Sequence, residues 1–507
     1  MNPVSWPAAF VQARGDIVLL APEMLLVLFA LLTLLLDLTL DEEQKSWNSL
    51  PALLGLALSG GALAMVGFGS ETTSAFGNAI VIGPFSGYFG LLALMLASLL
   101  ALLCTHASGA ASQQSGERHA LLLLATAGLM LLACANDLLV LFVAFETVSV
   151  SLYALANTGD ADRGSREGTL RFLLAGAFSM ALLAYGFSLL YGLGGSTNLS
   201  VISARIAELS QISSAENLLI GMAMAAAGGG ILLRIAGVPL HSRAPAIGET
   251  SPAAVVAFIS VAAKLACFTL LLRLLFSIFW RERYDWSRLL IVAAVLAMAI
   301  GTIASLRQAN IKRLLAYSAI AQGGYVLLAI AASVNRDGSF NAQSLGSAGY
   351  YLLAFVIFQI GAFAIAIVLR EQTAATEDLA SLNGLNGLLR KHPAAGGAMI
   401  FLLLSCVGVP PTAGFVAKLE VVRVLFANQR VALAWIAVLF AIPPVYPSYR
   451  IIRAMIAPAA EPAERAPLSD FQAVALAAMV VLTLLLGVFP APFEQFAAQS
   501  LAALVLH

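Results

Sequence analysis

Apolar runs of about 20 residues, the length that crosses a bilayer as an α-helix, follow one another along almost the whole chain. With no water in a bilayer core, backbone polar groups must pair inside their own segment, so such runs fold as membrane-spanning helices. They begin near Ile17, Ser49, Gly83, Arg118, Asp137, Glu167, Glu216, Ser251, Arg288, Lys312, Leu345, Ala394, Val431 and Asp470, about 14 spans by the length rule. Only 11% of the 507 residues are charged and 60% are hydrophobic, and mean hydropathy is +0.92. A soluble domain carries about 25% charged residues. The expectation is an all-α polytopic membrane protein with little mass outside the bilayer. The first run, from about Ile17 to Leu38, reads as a span rather than a cleavable leader, because no basic flank and small-residue cleavage site frame it.

Against this background four long ionisable side chains stand out, Glu146, Arg234, Lys264 and Lys418. A charge at the centre of a membrane helix costs about 2.5–3.5 kcal/mol on insertion scales. Residues kept at that cost usually line an ion or proton path. Arg234 precedes Gly237-Val238-Pro239, and Lys418 follows Gly408-Val409-Pro410-Pro411. Helix breaks at membrane depth are tolerated where they line a cavity. Two such breaks, each beside a basic residue, point to two inverted halves. The expected organisation is a three-helix segment at 1–117, five-helix repeats at 118–276 and 288–455, and a C-terminal helix and tail at 456–507. The broken helices are the seventh and the twelfth.

Each residue carries a site reading and a plainer one. Glu146 lies about two and a half turns into its helix. It is a charge switch if a cation on another helix governs it, and otherwise a structural ion pair. Lys264, in Ser260-Val261-Ala262-Ala263-Lys264, is a candidate proton carrier, since burial disfavours the charged form of lysine; a lysine at a helix end would instead snorkel. Lys418 either passes protons to one side or caps the carbonyls of the broken helix. Arg234 stays charged at any physiological pH, so it is a fixed counter-ion or an electrostatic control on Glu146. Glu23, Asp37, Asp137 and Lys312 sit at helix ends, where solvated or dipole-complementing roles are expected.

Other chemistry is unsupported. Cys104, Cys134, Cys267 and Cys406 all fall in apolar spans with no C-x-x-C pair, so neither a disulfide framework nor an iron–sulfur cluster is expected. The five histidines lack metal-ligand spacing. Gly228-Gly229-Gly230 lies inside a helix and is no phosphate loop, and no dinucleotide, Walker or hydrolase motif occurs in a suitable context. Formal net charge is zero, which leaves no nucleic-acid footprint. With Arg234, Lys264 and Lys418 set aside, 15 of the other 24 lysines and arginines fall in odd-numbered loops. The positive-inside rule then places those loops in the cytoplasm and both termini outside.

The segments Asn136-Asp137-Leu138-Leu139, Phe145-Glu146, Ser151-Leu152-Tyr153, Arg171-Phe172-Leu173-Leu174-Ala175-Gly176, Asn310-Ile311-Lys312-Arg313-Leu314-Leu315-Ala316-Tyr317-Ser318 and Gly408 to Lys418 resemble the antiporter-like subunits of respiratory complex I. Among those paralogues the resemblance is strongest to the subunit N family of NADH-quinone oxidoreductases, and it runs from about Pro22 to the last helix. It implies a 14-helix membrane-arm subunit of the bacterial inner membrane, with the two inverted repeats, that translocates protons. It implies that Glu146 and Lys264 match the family's central pair and Lys418 its distal lysine. NADH, flavin, iron–sulfur clusters and quinone are then expected in other subunits, with no cofactor bound here. The family pattern has lysine where Arg234 stands and histidine where Gln322 stands, so two expected titratable positions cannot titrate. Its polar, tyrosine-rich thirteenth helix reads Ala441-Ile442-Pro443-Pro444-Val445-Tyr446-Pro447 here. Two other functions fit the same residues: a cation/proton antiporter subunit, and a non-pumping structural paralogue in a complex I-like or membrane hydrogenase assembly.

Overall fold

The computed structural model describes residues 15–69, 72–105, 114–158, 163–209, 214–235, 251–372, 385–458 and 468–505. Among them the secondary structure is helical apart from one small hairpin. The order is α1 (Ala21–Asp37), a 3-10 turn at Glu42–Asn48, α2 (Ser49–Val66), the antiparallel strands β1 (Thr73–Ala75) and β2 (Ile80–Ile82), α3 (Pro84–Leu103), α4 (Ser115–Cys134), α5 (Leu138–Ala156) and α6 (Arg163–Gly194). There follow α7 (Leu199–Leu209), α8 (Ser214–Ile235), α9 (Ala253–Ser277), α10 (Arg283–Leu306), α11 (Ile311–Ala332) and α12 (Ala342–Gln372). The chain ends with α13 (Leu388–Lys391), α14 (Pro393–Val407), α15 (Ala413–Ala427), α16 (Val431–Ala441), α17 (Val445–Ile456), α18 (Asp470–Val488) and α19 (Pro490–Ala502). Among the described residues, twelve helical segments are long and apolar enough to cross a membrane.

Local chemistry sets the ends. The Asp137 carboxylate accepts from Leu139 N at 2.8 Å and opens α5, so the Ala135-Asn136-Asp137 link closes as a tight helical hairpin. Asn310 caps α11 through Lys312 N and Arg313 N. Ser469 and Gln472 form a capping box on α18. Two expected single helices are divided. Pro443 and Pro444 offer no N–H, and the helix starting at Val431 breaks between Ala441 and Val445. The C-terminal helix ends at Val488, and α19 starts anew at Pro490.

Hydrogen bonds between loops define two faces. One gathers Ala156, Ser251, Gln308 and Asn310, with Ser251 Oγ on Ala156 O, Lys312 Nζ on Ser251 O and Arg450 on Gln308 O. The other gathers Asn78, Asn136, Asn198, Asn428 and Arg430, with Asn198 Nδ2 on Asn78 O, Asn428 Nδ2 on Ala332 O and Arg430 on Val334 O. We call these the Ser251 face and the Asn136 face. Burial separates the layers: 94% of the apolar stretch of each of α9, α11 and α12 is buried, against 28% around α2 and 22% for Val431–Ile456. α9, α11 and α12 are the axis, and the others present Met65, Trp435 and Leu439 outward.

Around the second break three backbones approach closely. A Cβ at Gly414 would lie 1.8 Å from Ser405 O, and one at Gly487 would lie 1.9 Å from Pro411 O. Gly408 has φ +92° and forms the left-handed cap of α14. Gly397, in contrast, has nothing within 4 Å of its Cβ position. Gly487→Ala should therefore destabilise the protein by about 1–3 kcal/mol through overpacking. Gly397→Ala should change stability by no more than about 0.5 kcal/mol. Thermal unfolding of the two variants in detergent measures the contrast; equal melting temperatures would remove the close-approach argument.

Candidate functional site

Lys418 sits in the second turn of α15, directly beyond the break. Its side chain is buried, 7% exposed. An α-helix leaves its last carbonyls without intrahelical donors, and α14 releases them inside the protein. Lys418 Nζ donates to Val407 O at 2.6 Å and to Cys406 O at 3.2 Å. The ammonium also lies 5.6 Å from the centroid of the Tyr325 ring, within cation–π range. The capping role is thus present in the geometry, and it supplies the acceptors that make a buried cation tolerable.

The same Cys406 carbonyl accepts from Gln322 Nε2 at 3.1 Å, and Gln322 Oε1 accepts from the Tyr351 hydroxyl. Tyr351 stacks on Tyr325, with centroids 5.7 Å apart and planes 10° from parallel. Gln322, Tyr325 and Tyr351 are all buried. One residue along α11, Gly323 leaves space for Lys264: a Cβ there would lie 3.8 Å from Lys264 Cε. Lys264 is 5% exposed, and its Nζ donates to Ser260 O at 3.1 Å, the carbonyl one turn back on its own helix.

Arg234 is the penultimate residue of α8; the expected break at Gly237-Val238-Pro239 lies outside the described residues. Its guanidinium donates to Ser149 Oγ at 2.7 Å, Tyr153 Oη at 2.8 Å, Ser179 Oγ at 3.2 Å and Gly176 O at 3.3 Å. It also stacks on Phe145, 4.8 Å from the ring centroid. Gly176 has to be glycine here, because a Cβ would fall 1.7 Å from Tyr153 Oη. Glu146 is half-buried between Phe145 and Ser149 on the same helix, within the field of Arg234 but in no ion pair with it at 4.0 Å. Ile235, next to Arg234, reaches the same place, with its Cγ2 3.4 Å from the Cβ position of Gly323. Arg234, Lys264 and Lys418 thus fall on one line of polar groups. Glu146 flanks its beginning and makes no direct pair with Lys264.

Glu23 stands in the first turn of α1, as expected for a residue that complements the helix dipole, but it is not solvated. This residue is 8% exposed and accepts from Cys134 Sγ at 3.6 Å, because the end of α4 covers the start of α1. Asp37 pairs with Asn48 Nδ2 at 2.5 Å and Lys45 Nζ at 3.8 Å. Asp137 and Lys312 hold loops through Thr197 Oγ1 and Ser251 O. Several polar groups escape a sequence reading. Arg273 is buried, donates to Ala133 O and stacks on Phe85. Glu420 is buried and pairs with Arg423 at 3.2 Å, although its i,i+3 spacing looks like a solvated helix face. Glu494 Oε1 is buried and unpartnered.

As chemistry, the line combines two amines that can gain and lose protons with hydroxyls, phenols and thiols that can relay them. Arg234 and Gln322 do not titrate in this role.

Residues 135–442 match the family model described as NADH:quinone oxidoreductase/Mrp antiporter, TM. NADH-quinone oxidoreductase subunit N 1 of Koribacter versatilis is 36% identical over 97% of this chain and 96% of its own length. NADH-quinone oxidoreductase subunit N of Trichlorobacter lovleyi is 33% identical over 94% of this chain and 96% of its own. Among solved structures, a chain of respiratory complex I from Thermus thermophilus, determined with bound aureothin, matches with TM-score 0.73 and 29% identity, covering 94% of this chain and 99% of that one. A chain of the Mrp complex from Dietzia matches with TM-score 0.75 and 21% identity over 95% and 97%, a likeness of fold. The chain belongs to the NADH:quinone oxidoreductase/Mrp antiporter transmembrane family, among the subunit N proteins of NADH-quinone oxidoreductases.

Proposed function

We propose that this chain is a proton-translocating subunit of the membrane arm of an NADH-quinone oxidoreductase. The observation that carries the reading is the row of interior cations Arg234, Lys264 and Lys418, in which Lys418 and Gln322 share the Cys406 carbonyl and Lys264 lies beside Gly323 on the helix of Gln322. Lys264 and Lys418 are the groups that take up and release protons. Glu146 is the charge that switches their environment. Arg234 keeps its charge throughout, so it acts on Glu146 through a change in their separation. Quinone reduction takes place elsewhere in the assembly, where NADH, flavin, iron–sulfur clusters and quinone bind, and this chain holds no cofactor. Its partners are other membrane-arm subunits and the lipid bilayer.

The same reading counts fourteen passes: the twelve long apolar helices, the shorter α1, and the broken α14–α15. It divides them into three leading helices (1–117), two inverted five-helix repeats (118–276 and 288–455) and the C-terminal part (456–507). The basic bias of the odd-numbered loops supports placing the Ser251 face in the cytoplasm of a bacterial inner-membrane protein, with both termini outside. Arg234 and Gln322 favour one competing reading, a structural paralogue that no longer pumps.

Lys264→Ala and Lys418→Ala should each leave the complex assembled and lower quinone reduction and proton pumping about ten-fold or more, the scale of a lost proton-transfer group. NADH-driven acidification of sealed vesicles measures this; full pumping in both variants would make the lysines structural. Arg234→Ala should impair pumping. Arg234→Lys should restore part of it, since lysine supplies the charge but not the planar fork that serves Ser149, Tyr153 and Ser179. Parent-like pumping in Arg234→Ala would take Arg234 out of the switch. The purified subunit should show no flavin, haem or iron–sulfur absorption and should not oxidise NADH, and a stoichiometric chromophore would overturn that part of the reading.

A further inference from the structure

On the outer surface α10 packs beside α16 and α17, and each side of this seam carries an exposed apolar row that ends in arginine. On α10 the row is Leu289, Val292, Leu296 and Ile303, and Arg307 follows it. On α16 and α17 it is Leu439, Ile442 and Tyr446, and Arg453 follows it. Apolar rows alone are ordinary where lipid is the solvent, and basic residues at helix ends are ordinary where a membrane meets the cytoplasm. The charge here goes further than that. No aspartate or glutamate occurs in residues 289–336 or 421–460, the stretches that hold α10 from Leu289 on, α11, α16 and α17.

Arg450 draws the two ends together on the Ser251 face. It donates to Gln308 O at 3.0 Å, the residue next to Arg307. Its guanidinium also lies 5.9 Å from the Tyr446 ring centroid, within cation–π range. Tyr446, Tyr449, Arg450 and Arg453 share one face of α17 at i+3 and i+4 spacing, while Ser448, Ile451 and Met455 are buried. Arg307 and Arg453 are exposed. Among the described residues neither guanidinium has a hydrogen-bond or ion-pair partner. Depth fits as well. Leu296 and Arg307 are 11 positions apart, about 16 Å along a helix, close to one leaflet of a hydrocarbon core about 30 Å thick.

We propose that Arg307, Arg450 and Arg453 hold the phosphodiester headgroup of an anionic phospholipid, in the leaflet that borders the Ser251 face. Its acyl chains lie along the apolar rows of α10 and α16. The planar guanidinium fork matches phosphate oxygens two at a time, and basic groups at this depth attract anionic lipid. Tyr449 belongs at the same level, since a tyrosine ring favours the headgroup region. Snorkelling explains a single arginine at a helix end. It does not explain cations converging from two helices with no carboxylate between them. A free phosphate would answer the cations and leave the rows unexplained; a lipid answers both. The site is independent of the proton path and of which side of the membrane the Ser251 face occupies.

The test uses the assembled complex in phosphatidylcholine nanodiscs doped with phosphatidylglycerol that carries a diazirine beside its headgroup. After illumination, mass spectrometry maps the labelled peptides. Residues 303–308 and 445–456 should be labelled well above the level given by a phosphatidylcholine probe with the same diazirine. Unlabelled phosphatidylglycerol should compete, and inorganic phosphate should not. The double variant Arg307→Gln, Arg453→Gln removes two side chains that bond to nothing described, so the fold should stand. It should lower this labelling about ten-fold, the scale of two lost cations at an anionic surface, and Arg453→Gln alone should lower it part of the way. Labelling beside Val474 and Val481 on α18 should be unaltered in both, and Arg288→Gln at the other end of α10 should change nothing. Equal labelling by the two probes, or labelling that the arginine variants leave intact, overturns the site. Competition by inorganic phosphate makes it an ion site instead, and cross-links from these segments to another subunit in place of lipid make it a protein contact; either overturns the lipid.

Discussion

A lysine ammonium inside a membrane protein needs acceptors, and here a broken helix releases them. The C-terminal end of α14 stops at Val407 instead of at a membrane surface, which puts the negative end of its dipole and its unpaired carbonyls inside the protein. Lys418 closes on two of them. The glycines nearby serve this arrangement. Gly408 turns the chain at positive φ, Gly414 lets α15 restart against Ser405, and Gly487 lets α18 pack on Pro411 and Thr412. Removing the break would restore hydrogen bonds to the carbonyls and leave the cation without them.

The cations Arg234, Lys264 and Lys418 differ in how firmly they are held. Among the described residues Arg234 donates to four oxygens and rests on an aromatic ring. Lys418 donates to two carbonyls. Lys264 donates to one, on its own helix, whose carbonyl already belongs to the regular ladder. A hydrogen bond to a charged group contributes about 1.5–3 kcal/mol, so each added acceptor favours the ionised form and resists movement. By that ordering Lys264 is the least tethered of the cations, and Arg234 is a fixed point. The side chain that cannot titrate is also the one most completely caged.

Much of the fold was legible because hydropathy and length alone demand it. The expected helix starts at Ser49, Gly83, Val431 and Asp470 fall within a residue of those observed, and Ala135-Asn136-Asp137 closes the expected hairpin. Proline placement carried the division of α16 from α17, yet a 20-residue apolar run hides such a kink. Glu23 shows where a local rule stops. Its position at the start of α1 says helix end, but which ends are covered depends on the packing of α4, and no single segment contains that information. The lysines could be found because a cation in an apolar run is conspicuous. Tyr325 and Tyr351 could not, since an aromatic residue on a buried helix reads as core until its hydroxyl partner is known. Glu420 was masked by Arg423 three residues on, a spacing that exposed helices share.

The fixed charge and the amide place a constraint on any route along this line. A proton carried past Arg234 cannot rest on it, and one carried past Gln322 cannot rest there either. Under the proposed function, the groups able to hold a proton are therefore Glu146 on one side of Arg234, Lys264 between Arg234 and Gln322, and Lys418 beyond Gln322. Glu146 is half-buried and, among the described residues, makes no ion pair with Arg234, so under this reading its partial burial and its distance from the guanidinium both bear on its charge. Lys264 and Lys418 are separated by an amide that orients the Cys406 carbonyl and the Tyr351 hydroxyl without storing charge. Such a bridge lets the loading of one lysine raise the electrostatic cost of loading the other while denying the proton a stable intermediate stop. A lysine flanked by an amide that stores no proton then depends on its own access to water to be reloaded.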